Sequence, residues 1–330
     1  GISMEFAQQI FNQIQGFGEY GFPESHSASF ALLVYISGWL KCHYPAAFTA
    51  SLINSHPMGF YSPRALLADA QRHGIEVRPV CVVESRWDCT LEPTAEGERA
   101  IRCGLRLVKG LGEEEGEAIE RARSEEAFRD LPDLARRTRL DRRALEALAE
   151  ADAFRAFGLS RRQAAWVLQG LWTELPLFAG LARQEPTPRL PKETAVEAIE
   201  AAYRRVGLSV DTHPMQLIRP QLAGVPALDV LATLPTDSRV RIAGLVANRQ
   251  RPGTAKGVVF MTLEDETALV NLVVWPKTWA RYRRIARGSA LLGVDGRLQR
   301  QDEAMSVLVE RFWPIPEDAL GIPNQSRDFR

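Results

Sequence analysis

Arg239–Gln250, RVRIAGLVANRQ, is a run of aliphatic residues interleaved with charge, and four more runs of similar texture follow it. They are Gly257–Asp265 (GVVFMTLED), Ala268–Pro276 (ALVNLVVWP), Ser289–Gln301 (SALLGVDGRLQRQ) and Ala304–Trp313 (AMSVLVERFW). Short runs rich in Val, Ile and aromatic residues, bounded by turn-forming residues, predict strands. Between the third and fourth runs, Lys277–Arg287 (KTWARYRRIAR) has a helical pattern.

Five strands with a helix between the third and fourth is the layout of an OB-fold, a small barrel whose face and loops hold oligonucleotides or oligosaccharides. Basic residues dominate its surface. Arg249, Arg251 and Lys256 fall in the first hairpin, and Lys277, Arg281, Arg283, Arg284 and Arg287 fall on the helix. Phe260 and Trp275 are candidates for stacking on bases, since a basic groove with aromatic platforms is how such folds hold single strands. Each could instead be core, because an alternating strand buries half its side chains.

Upstream of the strands, Glu174–Lys192 (ELPLFAGLARQEPTPRLPK) is proline-rich, and one more helix is expected over 193–206. Residues 104–172 read as helices. Within them, Gly104–Arg123 (GLRLVKGLGEEEGEAIERAR) joins a short helix through Lys109-Gly110-Leu111-Gly112 to a helix starting near Glu113. Glycines permit a tight turn, and the following helix N-terminus leaves N–H groups that can hold a phosphate. This is the helix-hairpin-helix pattern of sequence-independent DNA binding. The alternative is a turn and nothing more, with Glu113, Glu114 and Glu115 placing negative charge where a phosphate would sit. A related unit follows at Leu140–Ala164, with Arg142, Arg143, Arg155, Arg161 and Arg162 available for phosphates, but Asp152 stands where a glycine is expected, which favours a structural role for this copy.

Residues 75–101 read as short strands or connectors. Helices are expected over 4–15, over 25–55 with a break at KCHYP, and over 62–73 with Ser62 as N-cap, Pro63 first in the helix and Gly74 past its end. The apolar run Ala28–Leu40 is too short for about 30 Å of hydrocarbon, so a membrane span is rejected in favour of a core helix. No signal peptide is read at the N-terminus, and the start at Gly1 suggests a piece of a longer protein.

The 330 residues, 45% hydrophobic and 25% charged, suit a soluble chain of two or three domains. Net charge is zero, so nucleic-acid binding must come from local patches. The four cysteines show no C-x-x-C spacing and no paired histidines accompany them, which argues against a zinc finger and fits a reducing cytoplasm.

Phe17–Pro63, FGEYGFPESHSASFALLVYISGWLKCHYPAAFTASLINSHPMGFYSP, closely resembles the end of the fingers domain of bacterial C-family DNA polymerases. The replicative members, DNA polymerase III alpha subunits, carry G-Y-G-F-N-K-S-H-S-A-A-Y-A there; here Pro23, Glu24 and Phe30 depart from it. Those departures, with NSHPMGFYSP (54–63), RPVCVVESRWDCTLE (78–92) and GLSVDTHPMQLIRP (207–220), resemble the error-prone, damage-inducible branch.

The resemblance covers essentially the whole chain. It implies a multi-domain α+β architecture: fingers over 1–75, short-strand connector and tandem helix-hairpin-helix over 76–172, linker and helix over 173–235, OB-fold over 236–316 and a tail over 317–330. It implies that Ser25, His26 and Phe30 contact the incoming deoxynucleoside triphosphate. It places the palm, with its aspartates and Mg2+, upstream of Gly1, so that no catalytic residue or metal site is expected here and the chain alone should be silent. Expected partners are primer–template duplex, single-stranded template and mutasome proteins including a Y-family-like polymerase homologue. Glu174, Leu175, Leu177 and Phe178 resemble a short peptide that docks on the sliding clamp, although such hydrophobics also pack against neighbouring domains. The rival reading is a non-enzymatic DNA-binding repair or scaffold protein, with an RNA-binding OB protein behind it.

Overall fold

The computed structural model describes residues 3–19, 24–57, 61–171, 188, 190–301, 304–315 and 327–329, with backbone alone at 13–19, 24–26 and 327–329. The architecture is multi-domain α+β, as expected.

Among the described residues, helices come first: α1 (Met4–Glu19), α2 (Glu24–His43), α3 (Pro45–Asn54) and α4 (Pro63–Arg72). Pro45 stops α2 at His43 because the residue before a proline is driven from helical geometry. Ser62 caps α4, its hydroxyl accepting the Ala65 N–H at 3.2 Å.

The expectation that the apolar run is a core helix does not hold within this chain. Every described side chain of α2 is exposed, including Phe30, Leu33, Tyr35 and Trp39. Its apolar residues surround the helix instead of forming one stripe, so no single face could settle on α3 and α4. Lys41, paired with Asp69 at 2.9 Å, ties its last turn to α4.

Three short strands follow, β1 (Val77–Arg78), β2 (Thr90–Pro93) and β3 (Arg99–Arg102), in the order β1-β3-β2. Then come α5 (Glu113–Glu125), α6 (Leu131–Thr138), α7 (Arg142–Glu150) and α8 (Arg161–Leu171). One core joins them to α3 and α4 through Ile53, Leu67, Ile101, Leu105, Ile119, Leu134, Leu145 and Phe154.

The segment after the proline-rich stretch is packed, unlike a spacer. It contains α9 (Ala195–Arg205), α10 (Pro214–Ile218) and 3₁₀ turns at 219–221 and 228–233. Ile199, Tyr203, Met215 and Ile218 share a core with Ala243, Leu245 and Leu291 of the barrel.

The barrel strands are β4 (Arg239–Gln250), β5 (Val259–Glu264), β6 (Leu269–Val274), β7 (Leu291–Gln301) and β8 (Ala304–Pro314), with α11 (Pro276–Gly288) between β6 and β7. The order β5-β6-β8-β7-β4 closes through β4–β5 pairing. A last short strand, β9 (Arg327–Phe329), lies parallel to β4 at Asn248–Gln250. Gly293 makes room for a close approach, since a Cβ there would run into the Trp313 ring. Leu263, Leu272, Val294, Val307 and Phe312 fill the interior.

Candidate nucleic-acid interface

β4 carries a bulge between Val246 and Asn248. Before it, Val240, Ile242 and Val246 point into the barrel; after it the parity flips, so Asn248 and Gln250 face outward and Arg249 faces inward. Arg249 is consequently buried, its Nε donating to Ala286 O at 2.7 Å and its Nη2 to Ser289 O at 2.6 Å. The expectation that it contacts DNA is corrected: it holds the C-terminal end of α11, where a cation also complements the helix dipole.

The same flip builds a polar outer face. Gln250 lies opposite Phe260, Asn248 opposite Thr262, and on the other side Thr262 opposite Asn271 and Phe260 opposite Val273. Phe260 is 39% exposed and stands above this face. The Thr262 hydroxyl lies 3.2 Å from Asn248 Oδ1 and 3.1 Å from Asn271 Oδ1. These polar residues were missed in the sequence; the signal available was their alternation with buried Met261, Leu263, Val270 and Leu272.

α11 lays Trp279, Tyr282, Ile285 and Ala286 against the barrel and turns Lys277, Arg281, Arg283, Arg284 and Arg287 to solvent. Four of these arginines line one shallow depression with Ala280 and Gly288. The Arg281 guanidinium lies 5.3 Å from the Tyr282 ring centre. Among the described residues no carboxylate pairs with Arg281, Arg283 or Arg284. Trp275, 53% exposed, sits at the N-cap position of α11. The β4–β5 loop carrying Arg251 and Lys256 abuts it: a Cβ on Gly257 would meet Pro276 Cγ at 3.5 Å and Arg251 Nη2 at 3.8 Å. Thus Arg251, Lys256, Trp275 and Lys277 gather at one end of the basic helix.

The first hairpin has the expected geometry. A 3₁₀ turn at Leu105–Leu107 leads through Gly110, at φ 95°, to Gly112 as N-cap of α5. A side chain at Gly110 would be strained by that φ. Leu107, Val108 and Leu111 anchor the loop in the core. One of the free N–H groups at the N-terminus of α5 is already taken, because the Gly112 N–H donates to Glu115 Oε2 at 2.6 Å. Lys109 is exposed, yet neighbouring protein strips away enough water to hold its ammonium below the ordinary lysine pKa.

In the second hairpin Asp152 takes the glycine conformation, φ 60°. Here the sequence reading needs a second correction. Arg161 is nearly buried, donating to Glu150 O at 2.9 Å and Glu193 Oε2 at 2.8 Å; Arg162 donates to Pro191 O at 3.0 Å and Glu197 Oε1 at 2.7 Å. Both brace α8 against the segment leading to α9, Arg161 from a nearly buried position and Arg162 at the surface. Arg142 pairs with Glu146 one turn on at 2.7 Å. Arg143 remains 70% exposed, its Nη2 3.8 Å from Glu115 Oε1, which brings the N-termini of α5 and α7 together.

Ser25 and His26 lie in the first turn of α2, where backbone alone is described; Phe30, one turn on, is 49% exposed. Glu174, Leu175, Leu177 and Phe178 lie outside the described residues. Among the described residues no helix is long and apolar enough to cross a membrane. Among them, too, no group of three or more His, Cys, Asp or Glu side chains could hold a metal ion.

A helix-hairpin-helix module joined to an OB barrel with a basic, aromatic-bearing surface defines a multi-domain nucleic-acid-binding chain. Residues 74–164 match a family described as a helix-hairpin-helix motif, and residues 240–315 match one described as an OB-fold nucleic acid binding domain. A Pseudomonas fluorescens protein named error-prone DNA polymerase is 49% identical over 344 residues, covering 100% of this chain and 33% of the relative. One of the same name from Alkalilimnicola ehrlichii is 48% identical, covering 100% of this chain and 32% of the relative. The chain is similar along its whole length to proteins named error-prone DNA polymerase and spans about a third of the length of these curated relatives. A Pyrococcus horikoshii asparaginyl-tRNA synthetase structure is similar over 30% of this chain and 25% of its own, at 20% identity and a TM-score of 0.24, a likeness too partial to bear on function.

Proposed function

We propose that this chain is the carboxy-terminal, DNA-gripping part of an error-prone DNA polymerase that performs template-directed synthesis across damaged bases. Identity near one half along the entire chain to proteins of that name carries the reading. The exposed basic face of α11 supports a DNA-holding role, with Arg251, Lys256 and Lys277 at one end and Phe260 and Trp275 as stacking platforms. At the hairpins, Lys109, the Gly110–Gly112 loop, Arg142 and Arg143 contact the duplex backbone, to which Arg143 brings the most accessible charge. Ser25 and His26 at the start of α2, with Phe30, contact the triphosphate or base of the incoming nucleotide. Nucleotidyl transfer with Mg2+ belongs to a palm elsewhere in the longer protein, and mutasome partners and the sliding clamp bring the assembly to DNA.

Primer extension tests this directly. The 330 residues alone should incorporate nothing, whereas a protein of the relatives' full length should extend a primer; incorporation by the 330 residues would overturn the assignment of catalysis elsewhere. In the longer protein, His26→Ala should raise the nucleotide KM while leaving primer–template affinity in place. The reverse pattern would make His26 structural.

A further inference from the structure

Glu264 closes β5, is 2% exposed, and is held by two groups far away in sequence. Arg64 of α4 forms an ion pair with its Oε1 across 200 residues of chain. His213, the N-cap of α10, brings Nε2 within 3.3 Å of the same oxygen. Burial alone would raise the Glu264 pKa, but the His213 contact and the Arg64 charge hold it below the usual carboxylate value. The next two residues are clasped as well: Arg219 Nη2 donates to Asp265 Oδ2 at 2.6 Å and its Nε to Glu266 Oε1 at 2.8 Å. The acidic β5–β6 turn is thus the part of the barrel inserted between α4 and the α9–α10 segment.

That segment is tied on both sides. Toward the hairpins, the Lys109 N–H donates to Arg205 O at 2.8 Å and Arg205 Nε to Glu150 Oε2 at 2.6 Å. Toward the barrel it shares the core of Met215, Ile218 and Leu245. Arg64 on Glu264 clasps the helical body directly to the barrel, beside a cavity of about 250 Å3 that Gln71, Arg72 and Thr212 also line. A buried carboxylate that loses its cation is strongly disfavoured, so breaking this pair works against the docked position of the barrel.

We propose that Glu264, gripped by Arg64 and His213, is a positioning residue: it fixes the orientation of the OB module so that its DNA-holding surface and the hairpin loops engage one DNA together. The DNA part rests on the reading given under Proposed function. Two surfaces held in register raise each other's effective concentration, an advantage lost when their relative orientation is free.

The test uses the whole chain with spin labels on Cys42, exposed and next to Lys41 in the anchored end of α2, and on Gln299→Cys, exposed on β7. Cys81, Cys89 and Cys103 are buried and resist labelling. Arg64→Glu sets two carboxylates together and should broaden the label-to-label distance distribution. The pair Arg64→Met with Glu264→Met, which replaces the ions by apolar groups of similar length, should restore a narrow one. With the joint open, affinity for a primer–template junction should fall about tenfold, while affinity for a short single strand that spans the barrel alone should stay within about twofold. Circular dichroism and melting identify any variant that has simply unfolded, and the doubly substituted chain keeps the comparison valid. An unchanged distance distribution in Arg64→Glu overturns the joint, and a broadened one with unchanged junction affinity overturns the positioning role. If the unaltered chain binds neither DNA, the nucleic-acid reading fails and the distance measurement alone decides the joint.

Discussion

Replacing Arg281, Arg283 and Arg284 with alanine should weaken single-stranded DNA binding by a salt-dependent factor that follows from the geometry of α11. All three guanidinium groups are exposed, and among the described residues none is paired with a carboxylate, so each is available to neutralise a phosphate. A contact to single-stranded DNA contributes a slope of about 0.7 to the fall of log K with log salt, so three contacts contribute about 2. At roughly 0.1 M salt the triple variant should therefore bind about 100-fold more weakly, and at about 1 M it should bind almost as the unaltered chain does. Fluorescence anisotropy of a labelled oligothymidine, titrated at four or five salt concentrations, measures both quantities. Arg121→Ala is the control, since that arginine is exposed on α5 and already paired with Glu117 at 3.1 Å. A triple variant that loses affinity with an unchanged slope would refute the reasoning, because the loss would then come from distortion of the helix and not from released counterions.

Phe260→Ala should cost about 1–3 kcal/mol of single-strand affinity with the salt slope unaltered, as expected of base stacking, and Trp275→Ala should behave alike; the same anisotropy titration reads both. Arg249→Ala should lower stability by about 2 kcal/mol, since one buried and one part-buried carbonyl lose a charged donor, while leaving the salt slope in place; a slope reduced by about 0.7 would return Arg249 to the phosphate contacts. Asp133 accepts hydrogen bonds from Arg129 and Arg136, and the Arg129 side chain, foremost, brings its carboxyl down from 3.8 to about 2. A depressed carboxyl pKa contributes stability that is present above the unfolded value and is lost as protons return, so the helical body should weaken between about pH 4 and pH 2. Asp133→Asn should flatten that part of an acid-unfolding curve followed by circular dichroism.

Much of this fold is readable from short spans of residues. Pro45 ends α2, Ser62 and Pro63 start α4, Gly110 permits the hairpin turn, and the alternation in VFMTLE and LVNLVV makes strands. Each depends on sterics or hydrogen bonds within a few residues, which is the range over which a sequence pattern acts. The proline-rich stretch gives no sign of the packed segment beyond it, because α9 and α10 are locally unremarkable and their packing on the barrel is settled by distant apolar partners such as Leu245 and Leu291.

The candidate site divides along the same line. Sequence alone determined that the chain holds a hairpin module and an OB barrel, that α11 is basic, and that it resembles error-prone DNA polymerases. Tertiary structure decided which of the basic residues can reach a ligand. Arg249 was turned inward by one extra residue in β4, and Arg161 and Arg162 were paired with Glu193 and Glu197, whereas Arg281, Arg283 and Arg284 stayed in solvent. Arginines look alike along a chain, and a charge has no use until its neighbours in space are known. Arg64 and Glu264, 200 residues apart, show this most clearly: neither stands out in its own segment, and only folding makes them a pair.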